Sequence, residues 1–263
     1  MYHSTIYTNM VDKIIQGDCL RIMKEIPNNS VDMVLTSPPY DNLRDYNGYT
    51  FDFEGIANEL YRITKNGGVV VWVVGDSTIK GSETGTSFKQ ALYFKEIGFN
   101  LHDTMIYAKN SYMPMTHNRY EQAFEYMFIF SKGKPNIFNP IMIDSLTAGT
   151  KRNRATSKAK ELSYSERKRE EKTIVKKTKQ HPNIFFYDVG RNDKTLHNAP
   201  FPEKLANDHI LSWSNEGDIV FDPMCGSGTT CKMAKLNNRK YIGIDISEEY
   251  CQIAKDRLEI DLI

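Results

Sequence analysis

No apolar run in this 263-residue chain approaches the roughly eighteen residues that a membrane-spanning helix requires. The first ten residues lack the basic and apolar regions of a secretory signal, so a cytoplasmic protein is expected. Its four cysteines, Cys19, Cys225, Cys231 and Cys251, contain no Cys-x-x-Cys pair, and its six histidines do not cluster at ligand spacings. No metal is expected. Nor is there an excess of either charge, since the formal net charge is only +1. With 40% hydrophobic residues, however, a chain of this length can bury a full core.

An apolar run, Val31 to Leu35, ends in Thr36-Ser37-Pro38-Pro39-Tyr40. Each proline ring fixes φ near about −65° and removes a backbone N–H, so carbonyls here need a donor from outside. The residue before each proline is pushed to extended geometry, which keeps Ser37 at the mouth of a strand. Tyr40 adds a flat face beside those acceptors. Acceptors next to an aromatic plane suit a planar amino group; the alternative is a Pro-Pro turn that merely closes a strand.

Near the other end, Gly217 to Phe221 reads as a second short strand, followed by Asp222-Pro223-Met224-Cys225-Gly226-Ser227-Gly228-Thr229-Thr230 and a helix through Leu236. Gly226 and Gly228 permit a tight turn and close approach of a ligand to backbone, and the new helix offers unpaired N–H groups at its start. Lys240 to Asp245 forms another strand, whose terminal acid lies about twenty residues beyond the loop; in this βαβ spacing an acid takes ribose hydroxyls. The loop has neither the Gly-x-Gly-x-x-Gly pattern of dinucleotide enzymes nor a Gly-Lys-Ser/Thr ending, so a polyphosphate is disfavoured. Asp222 at its start suits a ligand bearing positive charge, such as a sulfonium or an amine. Cys225 reads as a small side chain in a tight turn rather than a nucleophile.

Between these motifs the spacing predicts a strand near Val11–Ile15, a helix over Leu20–Ile26 and an amphipathic helix over Phe53–Thr64 with Ile56, Leu60 and Ile63 on one face. Lys65-Asn66-Gly67-Gly68 reads as the end of that helix, and Val69–Val74 as a strand buried on both faces. Residues 75–85 read as a flexible connection, Ser87–Ile97 and Glu248–Leu258 as helices. Such alternation predicts a doubly wound α/β sheet with both motif loops in the crevice at its carboxyl edge. Between Lys151 and Lys179 twelve Lys or Arg face four Glu, a net of +8, which leaves the remainder near −7. That asymmetry points to a polyanion-binding segment on an acidic body, with a solvated loop as the alternative.

Ser37-Pro38-Pro39-Tyr40 taken with Asp222 to Thr230 resembles the amino-methyltransferases of DNA, which use S-adenosylmethionine. The catalytic motif precedes the cofactor loop, the order of that family's circularly permuted beta group. His197 to Leu205 resembles the segment over the methionine end of the cofactor, and Gln16-Gly17-Asp18-Cys19 the segment whose acid receives the adenine amino group. Ile106 to Asn110 and Arg119 to Gly133 resemble the strands that close the sheet. The resemblance covers nearly the whole chain except about 136–193. It implies a Rossmann-like methyltransferase sheet, mostly parallel with one antiparallel strand, divided into a catalytic half (1–135), a target-recognition insert (136–193) and a cofactor-binding half (194–263).

The resemblance also implies roles. Ser37, Pro38, Pro39 and Tyr40 are expected to be catalytic. Cofactor contacts are expected from Asp18, Cys19, Thr36, Phe201, Pro202, Glu203, Asp222, Pro223, Gly226, Ser227, Gly228, Thr229, Thr230 and Asp245. Arg44, Lys151, Arg152, Arg154 and Lys158 are expected on double-stranded DNA. From composition, the Gly, Asn and Tyr of 41–49 suggest a mobile lid over the substrate, and 111–118 is a second, aromatic and Met-rich loop; each is expected either to wedge into or stack on an extruded base or to be an ordinary exposed loop. Serine at the first motif position usually accompanies cytosine N4 in the family, whereas Asp or Asn accompanies adenine N6. Cytosine is therefore the expected target, with adenine as the alternative and a non-catalytic DNA-binding protein as a further one. The expected protein is a monomer or homodimer of a bacterial, archaeal or phage-infected cell, with a cognate restriction endonuclease as an optional companion.

Overall fold

The computed structural model describes residues 2–39, 51–111, 118–154, 171–188 and 201–260. Tyr40, Arg44, Lys158, His197, the expected lid and residues 112–117 of the second loop lie outside these, as do the side chains of Arg152 and Arg154. The chain divides into two compact units, Met1–Asn139 joined with Asn183–Ile263, and Pro140–Pro182.

The first unit is built on eight strands: β1 (Lys13–Gln16), β2 (Val31–Thr36), β3 (Thr64–Val74), β4 (Asn100–Lys109), β5 (Phe124–Ser131), β6 (Ile184–Tyr187), β7 (Ile219–Asp222) and β8 (Lys240–Asp245). Their order across the sheet is β1-β8-β7-β2-β3-β5-β4-β6. Only β5 runs antiparallel to its neighbours, β3 and β4. The mostly parallel sheet with one antiparallel strand is thus present. Ile184–Tyr187, within the interval expected for the insert, pairs with β4 in this main sheet.

Seven helices accompany the sheet among the described residues: α1 (Tyr2–Met10), α2 (Cys19–Met23), α3 (Phe53–Ile63), α4 (Thr86–Glu96), α5 (Glu203–Trp213), α6 (Thr229–Leu236) and α7 (Glu248–Ile260). The two-residue alternation of β3 explains how they divide. Val69, Val71 and Val73 join one core with Leu205 and Ile210 of α5, Ala234 of α6 and Ala254 of α7. Val70, Trp72 and Val74 join the other, with Met23 of α2, Leu60 and Ile63 of α3 and Phe94 of α4. A strand covered on both faces reads as a continuous apolar run, as this one does. Trp72 keeps its indole N–H satisfied by donating to Gln90 Oε1 at 2.8 Å.

Two expectations fail locally. Gly67 and Gly68 do not close α3, which already ends at Ile63 because Thr64 is extended (φ −66°, ψ 133°). They sit inside β3, where its pairing with β2 skips from Thr64 opposite Val31 to Val69 opposite Met33. Gly67 takes φ +81°, and a Cβ on Gly68 would meet the Asp32 carbonyl at 2.8 Å, so the glycines serve a strand irregularity. The other failure is residues 75–85, which are not a loose connection. Thr78–Ile79 and Ser82–Glu83 form a small hairpin, and Asp76 accepts from Thr84 Oγ1 at 3.2 Å, from Ser87 N at 2.9 Å and from Ser87 Oγ.

The second unit is an antiparallel ribbon. Met142–Asp144 pairs with Thr178–Gln180, and Lys151–Arg154 with Glu171–Ile174. Between these ladders Gly149 N donates to Val175 O at 3.0 Å and Val175 N to Thr150 O at 2.9 Å. Lys151 stands exposed on it.

Candidate active site

β2 and β7 are parallel neighbours, Met33 standing opposite Val220 and Val34 opposite Phe221. Both therefore leave the sheet at the same carboxyl edge, which brings Ser37 and the glycine loop to one side. Strand order reverses between them: β7 leads through α6 to β8 on one flank, and β2 through α3 to β3 on the other. A parallel sheet opens its ligand crevice at such a reversal. The two segments also touch, because Thr230 Oγ1 in the first turn of α6 donates to the Leu35 carbonyl at 3.2 Å. Of the ledge that follows, Pro38 is buried and Ser37 and Pro39 are half-buried.

The glycine loop is fastened chiefly through backbone. Asp222 is buried at the end of β7 and accepts from Met224 N at 3.1 Å, turning the chain. Burial pushes its carboxyl up to about 6, while the Thr36 and Thr230 hydroxyls and the Met224 N–H work in the other direction. Thr36 Oγ1 is buried close by but outside a hydrogen bond of ordinary geometry. Cys225 N donates to the Ile244 carbonyl at 2.8 Å and Gly226 N to Asp245 Oδ2 at 2.8 Å. Gly228 takes φ +81°, and a Cβ there would lie 2.7 Å from Ala254 Cβ, so only glycine lets α7 lie against the loop.

Asp245 also accepts from Ser247 N at 2.9 Å, and burial nevertheless raises its pKa. A carboxylate offers about four acceptor positions, so capacity for ligand hydroxyls remains. Gln16 stands opposite Asp245, and Gly17 N donates to its carbonyl at 2.8 Å, which places Asp18 and Cys19 beside it. Asp18 caps α2 by accepting from Arg21 N at 3.2 Å. Burial, then the neighbouring Asp18, pushes the Cys19 thiol up to about 12, and burial lifts Cys251 to about 11. Contact with the Cys231 thiol, then burial, raises Cys225 well above its usual value. These three thiols stay protonated at neutral pH, so they supply no nucleophile.

Other residues expected at the cofactor have contacts within the protein. Ser227 Oγ, the Ser227 carbonyl and Thr229 Oγ1 accept from Arg257 Nη1 at 2.9, 2.8 and 3.2 Å. Glu203 Oε1, at the start of α5, accepts from Arg257 Nη2 at 2.8 Å and from Lys232 Nζ at 3.0 Å. Pro202 is the N-cap of α5, and Phe201 packs against the first core. Arg257 and Lys232 escaped the sequence reading, as did Asp76. Their partners lie far away in sequence, and a lone basic residue in a charged helix gives no local signal.

Three carboxylates, Asp18, Asp222 and Asp245, thus line one edge beside a glycine loop. That set fits a cationic ligand rich in hydroxyl and amino groups better than a polyphosphate. No group of three or more His, Cys, Asp or Glu among the described residues is placed to hold a metal ion. No helix of the described residues is long and apolar enough to cross a membrane.

Comparison with known proteins agrees with this geometry. The sequence profile of a DNA methylase family matches residues 31–256. The orphan methyltransferase M.BamHII of Bacillus amyloliquefaciens is 56% identical over 244 residues, covering 90% of this chain and 92% of that protein. The solved PvuII DNA methyltransferase, described as cytosine-N4-specific, superposes with a TM-score of 0.69 at 20% identity, over 93% of this chain and 85% of the other. A putative DNA modification methylase of Thermus thermophilus, solved with S-adenosyl-L-methionine, gives a TM-score of 0.64 at 23% identity over 95% and 93%. At those identities the two structures bear on the fold.

Proposed function

The chain belongs to the N6/N4 DNA methylase family, and on that premise we propose that it transfers methyl from S-adenosylmethionine to the N4 amino group of a cytosine flipped out of double-stranded DNA. One observation carries the reading: the Ser37-Pro38-Pro39 ledge leaves β2 beside the glycine loop, tied to it by the bond from Thr230 to Leu35. Ser37, rather than Asp or Asn, supports cytosine over adenine.

Asp245 would take the ribose hydroxyls and Asp18 the adenine amino group of the cofactor, beside the glycine loop. Bound S-adenosylmethionine supplies a methyl group on a sulfonium sulfur, which departs as a neutral thioether. Ser37 Oγ and the Pro38 carbonyl accept the two amino hydrogens of the base, turning the nitrogen lone pair out of ring conjugation and toward the methyl. Fixed acceptors of this kind stabilise the developing positive charge without reorganising. Tyr40 stacks on the extruded base and offsets part of the flipping cost, about a few kcal/mol. The proton then leaves to water, because an ammonium on an aromatic ring is a strong acid. Lys151, Arg152 and Arg154 of the ribbon, together with Lys158 of the basic stretch, neutralise phosphates, and Arg44 adds a contact near the target.

The test is to incubate the protein with S-adenosylmethionine and mixed-sequence duplex DNA, then identify the digested nucleosides by mass spectrometry. N4-methylcytosine is expected. N6-methyladenine alone would overturn the choice of base, and no methylated nucleoside would overturn the enzyme reading.

A further inference from the structure

We propose that Arg257 is a positioning residue for the cofactor crevice, one side chain that sets the spacing between its floor and its cover. The inference deepens the function proposed above and rests on it. Arg257 lies on α7, away from both motifs in sequence, yet its guanidinium engages two different walls. Nη1 donates to the carbonyl and hydroxyl of Ser227 at 2.8 and 2.9 Å and to Thr229 Oγ1 at 3.2 Å, all within the glycine loop. Nη2 donates to Glu203 Oε1 at 2.8 Å, immediately after Phe201 and Pro202. Lys232 reaches the same carboxylate oxygen from α6 at 3.0 Å, so Glu203 is held by two cations from two helices.

Burial makes the contact matter. Ser227 is 2% exposed and the Arg257 side chain 12%. Water therefore cannot easily replace the guanidinium at the Ser227 oxygens, and a buried acceptor left unpaired is costly. Charge-assisted bonds from a planar fork also fix direction, which a single ammonium does not. The same face of α7 brings Ala254 against Gly228 and Cys251 Sγ to the Asp245 carbonyl at 3.6 Å, so the helix backs the loop along its length. Ser227 and Thr229 thereby act through the loop's shape, with their hydroxyls turned to Arg257.

The experiment compares the wild-type chain with Arg257→Met, Arg257→Lys and Glu203→Gln. Three readouts are taken: the Kd for S-adenosylmethionine by calorimetry without DNA, hydrogen exchange of residues 226–229 in the free protein, and kcat and KM on duplex DNA. Losing a charge-assisted bond corresponds to about tenfold in affinity. Arg257→Met is expected to raise Kd and cofactor KM by about tenfold or more and to speed exchange in the loop, with kcat within about twofold of wild type. Arg257→Lys should recover part of the affinity, and Glu203→Gln should weaken binding less than Arg257→Met does. If Arg257→Met fails to fold, Arg257→Lys and Glu203→Gln carry the same comparison. Wild-type Kd and loop exchange in the folded variants overturn the role of Arg257 while leaving the methyltransferase reading intact. A wild-type chain that does not bind S-adenosylmethionine overturns both.

Discussion

Thr230 and Leu35, 195 residues apart, share a hydrogen bond of 3.2 Å between the threonine hydroxyl and the leucine carbonyl. It joins the first turn of α6 to the strand that leads into Ser37. Thr230 is 1% exposed, so Thr230→Val keeps the shape and removes the hydroxyl that bears on the Leu35 carbonyl and on the Asp222 carboxyl. The expected loss is about 1 kcal/mol, read from urea unfolding, with a parallel fall in turnover as the ledge loses its tie. A variant with unchanged stability and turnover would show that the bond is incidental.

Ser37 and Asp245 should separate chemistry from cofactor binding. Removing one fixed group that stabilises transition-state charge costs on the order of a hundredfold in rate. Ser37→Ala is expected to lower kcat by about that factor while the Kd for S-adenosylmethionine stays near wild type, and Tyr40→Ala should behave alike. Asp245→Ala should raise Kd first, since it removes both the proposed ribose acceptor and the partner of Gly226 N. Calorimetry and single-turnover kinetics distinguish the two patterns, and the reverse assignment would refute the site.

Two buried groups give opposing pH dependence. Burial lowers the His209 pKa from 6.5 to about 4, with Asp208 working against it, and the ring lies against Met127 Sδ at 3.1 Å. The unfolded chain therefore binds the extra proton, so stability falls as pH drops from 6.5 toward 4, by about 3 kcal/mol at the lower limit. For Asp222, raised from 3.8 to about 6, the folded chain binds the extra proton. Its contribution rises by about 2 kcal/mol over pH 6 to 4. Wild type should show a shallow net slope in chemical unfolding. Asp222→Asn should steepen acid destabilisation, and His209→Gln should flatten or invert it; matching slopes in all three proteins would refute the assignment.

Phosphate contacts can be counted through salt. Each one neutralised contributes about 0.9 to the slope of log affinity against log salt on duplex DNA. Replacing Lys151, Arg152, Arg154 and Lys158 together by alanine should reduce that slope by about three to four. Filter binding across a salt series measures it, and an undiminished slope would take the ribbon off the DNA.

Much of this architecture was legible because its signals are local. Lys240–Asp245 forms a strand over the expected bounds, and Val69–Val74 is buried on both faces as its β-branched run implies. The glycine loop announces itself by composition, and adjacency of β2 and β7 follows from topology. Gly67-Gly68 misled because a helix C-cap and a strand irregularity ask the same freedom of the backbone. α1 was missed because, among its described side chains, Tyr7 and Met10 alone pack against the core, too few to show a period. Asp76 and Arg257 were invisible for another reason: each acts on groups that only the folded chain brings near.

The pairing of β1 with β8 and of β2 with β7 fixes when the crevice can exist. A ribosome delivers β1 to β6 long before Ile219 emerges, so during synthesis the β2 edge waits unpaired. An open edge invites other strands, and pairings so distant in sequence form slowly. Nascent chains of this protein should therefore lack a cofactor crevice until β7 and β8 have been released, and products truncated before Ile219 should depend on chaperones.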